Sequence, residues 1–90
     1  MPHYYFDTQD GDEDFRDELG LDLEDDQAAR DEAARGLAEM AKDYLPGSGL
    51  QRNMTIWVRD DRGETVLQVS CAFAVKALRG PHLGGPITGR

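Results

Sequence analysis

The chain has a single cysteine, Cys71, among its ninety residues. That excludes an internal disulfide framework and fits a reducing compartment. Basic residues are scarce: ten Lys and Arg against eighteen Asp and Glu leave a net charge of −8. A field of that sign repels phosphate backbones, and no basic cluster overcomes it, so nucleic acid is not an expected partner. No apolar run approaches the ~18 residues of a membrane span, and no signal-like segment precedes the strand-like opening. No membrane association is expected, and the reading is a cytoplasmic protein.

Chemistry-bearing motifs are missing as well. There is no G-x-S-x-G, no phosphate-binding loop and no H-E-x-x-H. His3 and His82 lie at opposite ends, and with Cys71 they form no metal-ligand spacing. The run Asp10-Gly11-Asp12-Glu13-Asp14 alternates carboxylates as calcium loops do. Phe15, however, stands where such a loop needs its glycine, and Leu21 where it needs its last glutamate. A solvated acidic turn is the expected state. Cys71 sits between Val69 and Phe73 in a core-facing register, which favours an inert thiol over a nucleophile. Tyr4, Tyr5, Phe6 and Trp57 could stack bases on a sheet, but the acidic field opposes that use. The expectation is a protein that is not an enzyme, with no cofactor and no metal.

What is present is one strongly periodic helix. From Asp25 to Leu45, Ala29, Ala33, Leu37, Met40 and Tyr44 recur at helical spacing. Asp31, Glu32, Arg35, Glu39 and Lys42 occupy the opposite side. Asp25 is the expected N-cap, Asp26 and Lys42 complement the helix dipole, and Pro46-Gly47 stops the helix. Small residues at Ala29, Ala33 and Gly36 predict a helix axis lying close to a sheet. Gly36 costs about 1 kcal/mol of propensity relative to alanine, for which close packing is the expected reason.

Strand signals flank the helix. His3 to Thr8 alternates, with Tyr4 and Phe6 on one face and His3, Tyr5 and Asp7 on the other. Gln9 to Asp12 turns the chain into a polar return strand, about Glu13 to Asp17, and Leu21 and Leu23 are expected to point inward. Met54, Ile56 and Val58 alternate with Thr55, Trp57 and Arg59. A loop from Asp60 to Gly63 leads to a long strand, Thr65 to Val75. Leu67, Val69, Cys71, Phe73 and Val75 form its larger apolar face, where the helix should lie. The predicted fold is α+β: two β-hairpins flanking one long helix, ββ-α-ββ, with a four-stranded, mainly antiparallel sheet covered on one face. Residues 1–78 make a single domain, and 79–90, with four glycines and two prolines, a flexible tail. A core of this size supplies only about 3–5 kcal/mol, so a partner or self-association would help it.

The uncovered face would carry Tyr5, Trp57, Val66 and Ala72, which is apolar for a surface meeting water. Such patches mark interaction sites. This face, or the last strand as an open edge, is the expected contact surface.

The opening Met1-Pro2-His3-Tyr4-Tyr5-Phe6-Asp7, the Asp10-Gly11 turn and Asp17-Glu18-Leu19-Gly20 followed by Leu23-Glu24-Asp25 carry a resemblance. So do Ala28-Ala29-Arg30-Asp31-Glu32-Ala33 and Val58-Arg59-Asp60-Asp61-Arg62-Gly63-Glu64 with Val66-Leu67. Over about residues 1–76 the sequence resembles a family of short bacterial proteins of unknown function. The resemblance implies a small intracellular protein and brings no catalytic or binding residues. A weaker similarity is to the antitoxin halves of toxin–antitoxin pairs, although no DNA-binding segment adjoins. The functional expectation is a small protein-interaction domain that self-associates, as a homodimer. The alternative is an antitoxin-like or regulatory subunit that masks a basic protein partner. A cation-dependent enzyme ranks last.

Overall fold

A computed structural model describes residues 1–79; the predicted tail lies almost wholly outside them. The chain runs β1 (His3–Asp10), β2 (Glu13–Phe15), β3 (Leu21–Asp22), α1 (Asp26–Tyr44), β4 (Gln51–Asp60) and β5 (Thr65–Ala74). The fold is α+β with one helix on a five-stranded antiparallel sheet of order β2-β1-β4-β5, and β3 also pairs with β1. The two hairpins meet at the centre, where β1 and β4 pair from Tyr4↔Asp60 to Asp10↔Met54.

The difference from four strands arises in the first return segment. It leaves the sheet after Phe15, and the chain comes back as the two-residue β3 opposite His3 and Tyr4. Asp17 makes this detour possible by supplying hydrogen bonds that the interrupted ladder lacks. Its carboxylate accepts from the N–H groups of Phe6 at 3.0 Å and of Leu19 and Gly20 at 3.1 Å. Leu23 turns in and packs on the core, whereas Leu21 stays 45% exposed.

The hairpin turn lies one residue later than expected, since Asp10 and Glu13 still pair. Gly11, at φ 62°, is the first residue of a two-residue loop, a position where type II′ geometry requires glycine.

Asp25 caps α1 by accepting the Ala28 N–H at 2.9 Å. The helix ends as Ser48 donates both its backbone N–H and its hydroxyl to the Leu45 carbonyl. The buried core is Ala29, Ala33 and Leu37 of the helix with Tyr4, Met54, Ile56 and Val58 of the sheet. Fully buried alanines bring the axis close to β4, as expected. Close packing does not explain Gly36, because a Cβ there would stand 3.5 Å from Ile56 Cδ1, an ordinary contact.

Candidate functional site

The helix packs over β4 and β5 and leaves three surfaces for function: the sheet's other face, the outer edge of β5, and the uncovered strip of β1 beside the helix.

On the other face, alternation puts His3, Tyr5 and Asp7 of β1 beside Trp57 and Arg59 of β4. Arg59 organises this face. Its guanidinium binds both Asp7 oxygens, at 2.6 and 3.1 Å, donates to the Asp17 carbonyl at 3.0 Å and lies 4.8 Å from the Tyr5 ring centre. Arg59 holds the Asp7 carboxyl below its ordinary range. At Asp17, burial works against ionisation, but the three N–H donors outweigh it and the pKa is again lowered. His3 donates from Nδ1 to Asp22 at 2.6 Å and from Nε2 to the Leu19 carbonyl at 2.8 Å. With acceptors at both nitrogens, the imidazole pKa is raised, the Asp22 bond being the larger cause.

This arrangement corrects the expected apolar patch. Tyr5 lies beneath a paired arginine, and Trp57 donates its indole N–H to Gln68 at 3.1 Å. Val66 sits at a register shift, where Arg59 faces Thr65, and it packs on the core. Ala72 is exposed on β5, opposite Asn53. The four residues therefore do not form one apolar surface.

At the other end of β1, Arg52 donates Nε to Asp10 Oδ1 at 2.8 Å and Nη1 to the Tyr44 carbonyl at 3.1 Å. It therefore ties the first hairpin, β4 and the helix C-terminus together. The Arg52 bond lowers the Asp10 pKa and occupies both of its carboxylate oxygens. Among the described residues, no group of three or more His, Cys, Asp or Glu is placed to hold a metal ion. None of their helices is long and apolar enough to cross a membrane. Arg52 and Arg59 escaped the sequence reading. Their signal was a lone cation at each end of one strand in an acid-rich chain.

The edge of β5 differs in character. Its ten residues, Thr65 to Ala74, contain no charge and no proline. Among the described residues no strand pairs with its outer side. Beside it Ala34, Ala38 and Ala41 line a shallow apolar cleft with Val69 and Cys71. Cys71 is half-buried there.

The third surface is a groove between α1 and the first hairpin, made of two adjoining hollows of about 460 Å³ each. Both include Thr8 and Met40; Phe6, Leu21, Gly36 and Ile56 line one, and Phe15 and Tyr44 the other.

Residues 3–72 match the family model described as a domain of unknown function, DUF6894. No curated protein and no solved structure matches the chain.

Proposed function

The chain belongs to the DUF6894 family of domains of unknown function, and from that premise we propose that it is a protein-interaction domain that self-associates through β5. The observation that carries this reading is the uncharged, proline-free outer edge of that strand. Soluble proteins protect such edges with charges, prolines, bulges or a covering segment, because unpaired N–H and C=O groups template pairing. The one irregularity of β5 lies at Val66, which leaves Leu67 to Ala74 regular. Antiparallel pairing of two β5 strands continues the sheet across a two-fold axis. The small side chains of Ala34, Ala38 and Ala41 then let the two helices approach over the seam.

This function is not enzymatic. Asp7 and Asp10 are consumed by structural ion pairs. The half-buried Cys71 suits a reducing, cytoplasmic setting, and the acidic surface disfavours nucleic acid.

Light scattering at micromolar protein tests the reading. The wild-type chain is expected at twice its 10.0 kDa mass. Ser70→Lys combined with Ala72→Lys puts charges on exposed β5 positions and is expected to yield folded monomers. Trp57→Asp, on the sheet's polar face, is expected to remain dimeric. Monomers from Trp57→Asp and dimers from the lysine variant would move the contact to the open face and overturn this assignment.

A further inference from the structure

The groove beside the helix is independent of β5, from which it is separated by β1 and β4. Its floor is apolar: Phe6 and Ile56 come from the sheet and Met40 from the helix. The first hairpin and its return segment supply unusually exposed apolar walls, with Phe15 at 54% and Leu19 at 86% exposure.

Both rims are acidic. On the helix, Glu32, Glu39 and Asp43 share the flank that bears Gly36, at spacings of four, three and four residues. Opposite them stands Glu13, while Asp17 on the same wall is held by the N–H groups of Phe6, Leu19 and Gly20. Two cations close to these walls are engaged, Arg52 by Asp10 and Arg35 by Glu32.

Gly36 adds a separate argument. It weakens the middle of an otherwise good helix by about 1 kcal/mol, and the core does not demand it, since a Cβ would meet only Ile56 Cδ1 at 3.5 Å. It lines one of the two hollows, where the absence of a side chain leaves the helix wall open to an incoming group.

We infer that this groove receives a short basic amphipathic helix of a partner protein, with apolar side chains on Phe6, Met40 and Ile56 and Lys or Arg toward the two acidic rims. From Glu32 to Tyr44 the wall runs about 18 Å at 1.5 Å per residue, which matches roughly three turns of a docked helix. The recognition is of the helix-in-groove kind, with apolar anchors at helical spacing supplying affinity. The excess of negative charge selects the sign of the partner and accelerates encounter.

The test uses a labelled fifteen-residue synthetic peptide with leucines at i, i+3, i+4 and i+7 spacing and lysines elsewhere. Two controls accompany it: a scrambled peptide of the same composition, and the same pattern with glutamate in place of lysine. Binding is read by fluorescence anisotropy on the full chain, and repeated with the Ser70→Lys, Ala72→Lys variant to separate it from self-association. The patterned basic peptide is expected to bind at least about tenfold more tightly than the scrambled one, with no binding of the acidic peptide. Gly36→Arg, which places a long cationic side chain in the trough, is expected to weaken binding by at least about tenfold. Its helix content should be unchanged or higher by circular dichroism. Equal binding of the patterned and scrambled peptides, or unaltered affinity in a folded Gly36→Arg variant, would reduce the attraction to diffuse charge and overturn the inference. Binding that depends on pattern and on Gly36 sustains it, whether or not the chain dimerises through β5.

Discussion

Gly20 and Gly36 respond to the same substitution, glycine to alanine, with opposite signs. Gly20 has φ +67°, and a Cβ would stand 2.5 Å from the Tyr4 carbonyl oxygen and 2.5 Å from His3 Nε2. Alanine there costs about 1–2 kcal/mol for the left-handed backbone. Displacing a ladder carbonyl and a doubly bonded imidazole adds about 1–3 kcal/mol. The total, about 2–5 kcal/mol, is comparable with the whole stability expected of so small a core. Gly36→Ala instead gains about 1 kcal/mol of helix propensity and adds only the ordinary contact with Ile56. Urea unfolding, followed by Trp57 fluorescence and far-UV circular dichroism, measures both. With a slope near 1 kcal/mol/M for a small domain, Gly36→Ala should raise the midpoint by about 1 M. Gly20→Ala should lower it by about 2 M or more, or leave no folded baseline. Because association shifts apparent stability by mass action, all chains are compared in the Ser70→Lys, Ala72→Lys background at one concentration. A lower midpoint for Gly36→Ala would mean that the helix sits tighter on β4 than described and that the trough is closed. An unchanged midpoint for Gly20→Ala would mean that the Leu19–Asp22 segment is not held against β1.

Two further outcomes follow from the ion pairs. In a double-mutant cycle of Asp7→Asn and Arg59→Met, read by the same urea midpoints, the coupling energy is expected near 1–2 kcal/mol. The pair is two-pronged and mostly shielded, with side chains 20% and 13% exposed; additive losses would refute that coupling. Stability should also pass through a maximum with pH, as followed by thermal melts. The lowered carboxyl groups of Asp7, Asp10 and Asp17 stabilise the fold above their unfolded values near 4, and that contribution is lost as pH falls through the folded values. The raised His3 contributes fully below about 6.5 and ceases to do so as pH climbs through its folded value. In His3→Gln the alkaline limb should flatten while the acid limb stays; an unchanged alkaline limb would exclude His3 as its source.

Most of the architecture was legible in the sequence because it rests on local periodicity. The helix bounds, the Asp25 cap and the alternations of Met54–Val58 and Leu67–Phe73 follow from spacing alone. What escaped depends on pairs remote in the chain. Asp7 finds Arg59 and Asp10 finds Arg52 only once β1 and β4 are neighbours, and no local pattern announces that pairing. The open face therefore looked apolar, with Tyr5, Trp57, Val66 and Ala72 on it, until Arg59 was placed over Tyr5 and the bulge took Val66 to the core. Leu21 departs from its expected inward position for a related reason. Asp17 substitutes its carboxylate for missing ladder partners, which lets the chain leave the sheet and return with Leu21 at the rim of the groove.

The two arginines also explain how so acidic a chain keeps a sheet together. Each sits near one end of the β1–β4 seam and binds an aspartate there. Each also reaches a carbonyl beyond the sheet, Asp17 from Arg59 and Tyr44 from Arg52. They thereby fasten the return segment and the helix end, the two boundaries of the groove, to the same pair of strands. Both boundaries of the groove are thus tied to half-buried ion pairs at the seam, while Phe15 and Leu19 on its wall stay exposed. Glu13, Glu39 and Asp43 stand outside these bonds along its rims. An acidic chain that spends two of its cations on the β1–β4 seam leaves its other acids, Glu39 and Asp43 of the helix among them, outside those two ion pairs.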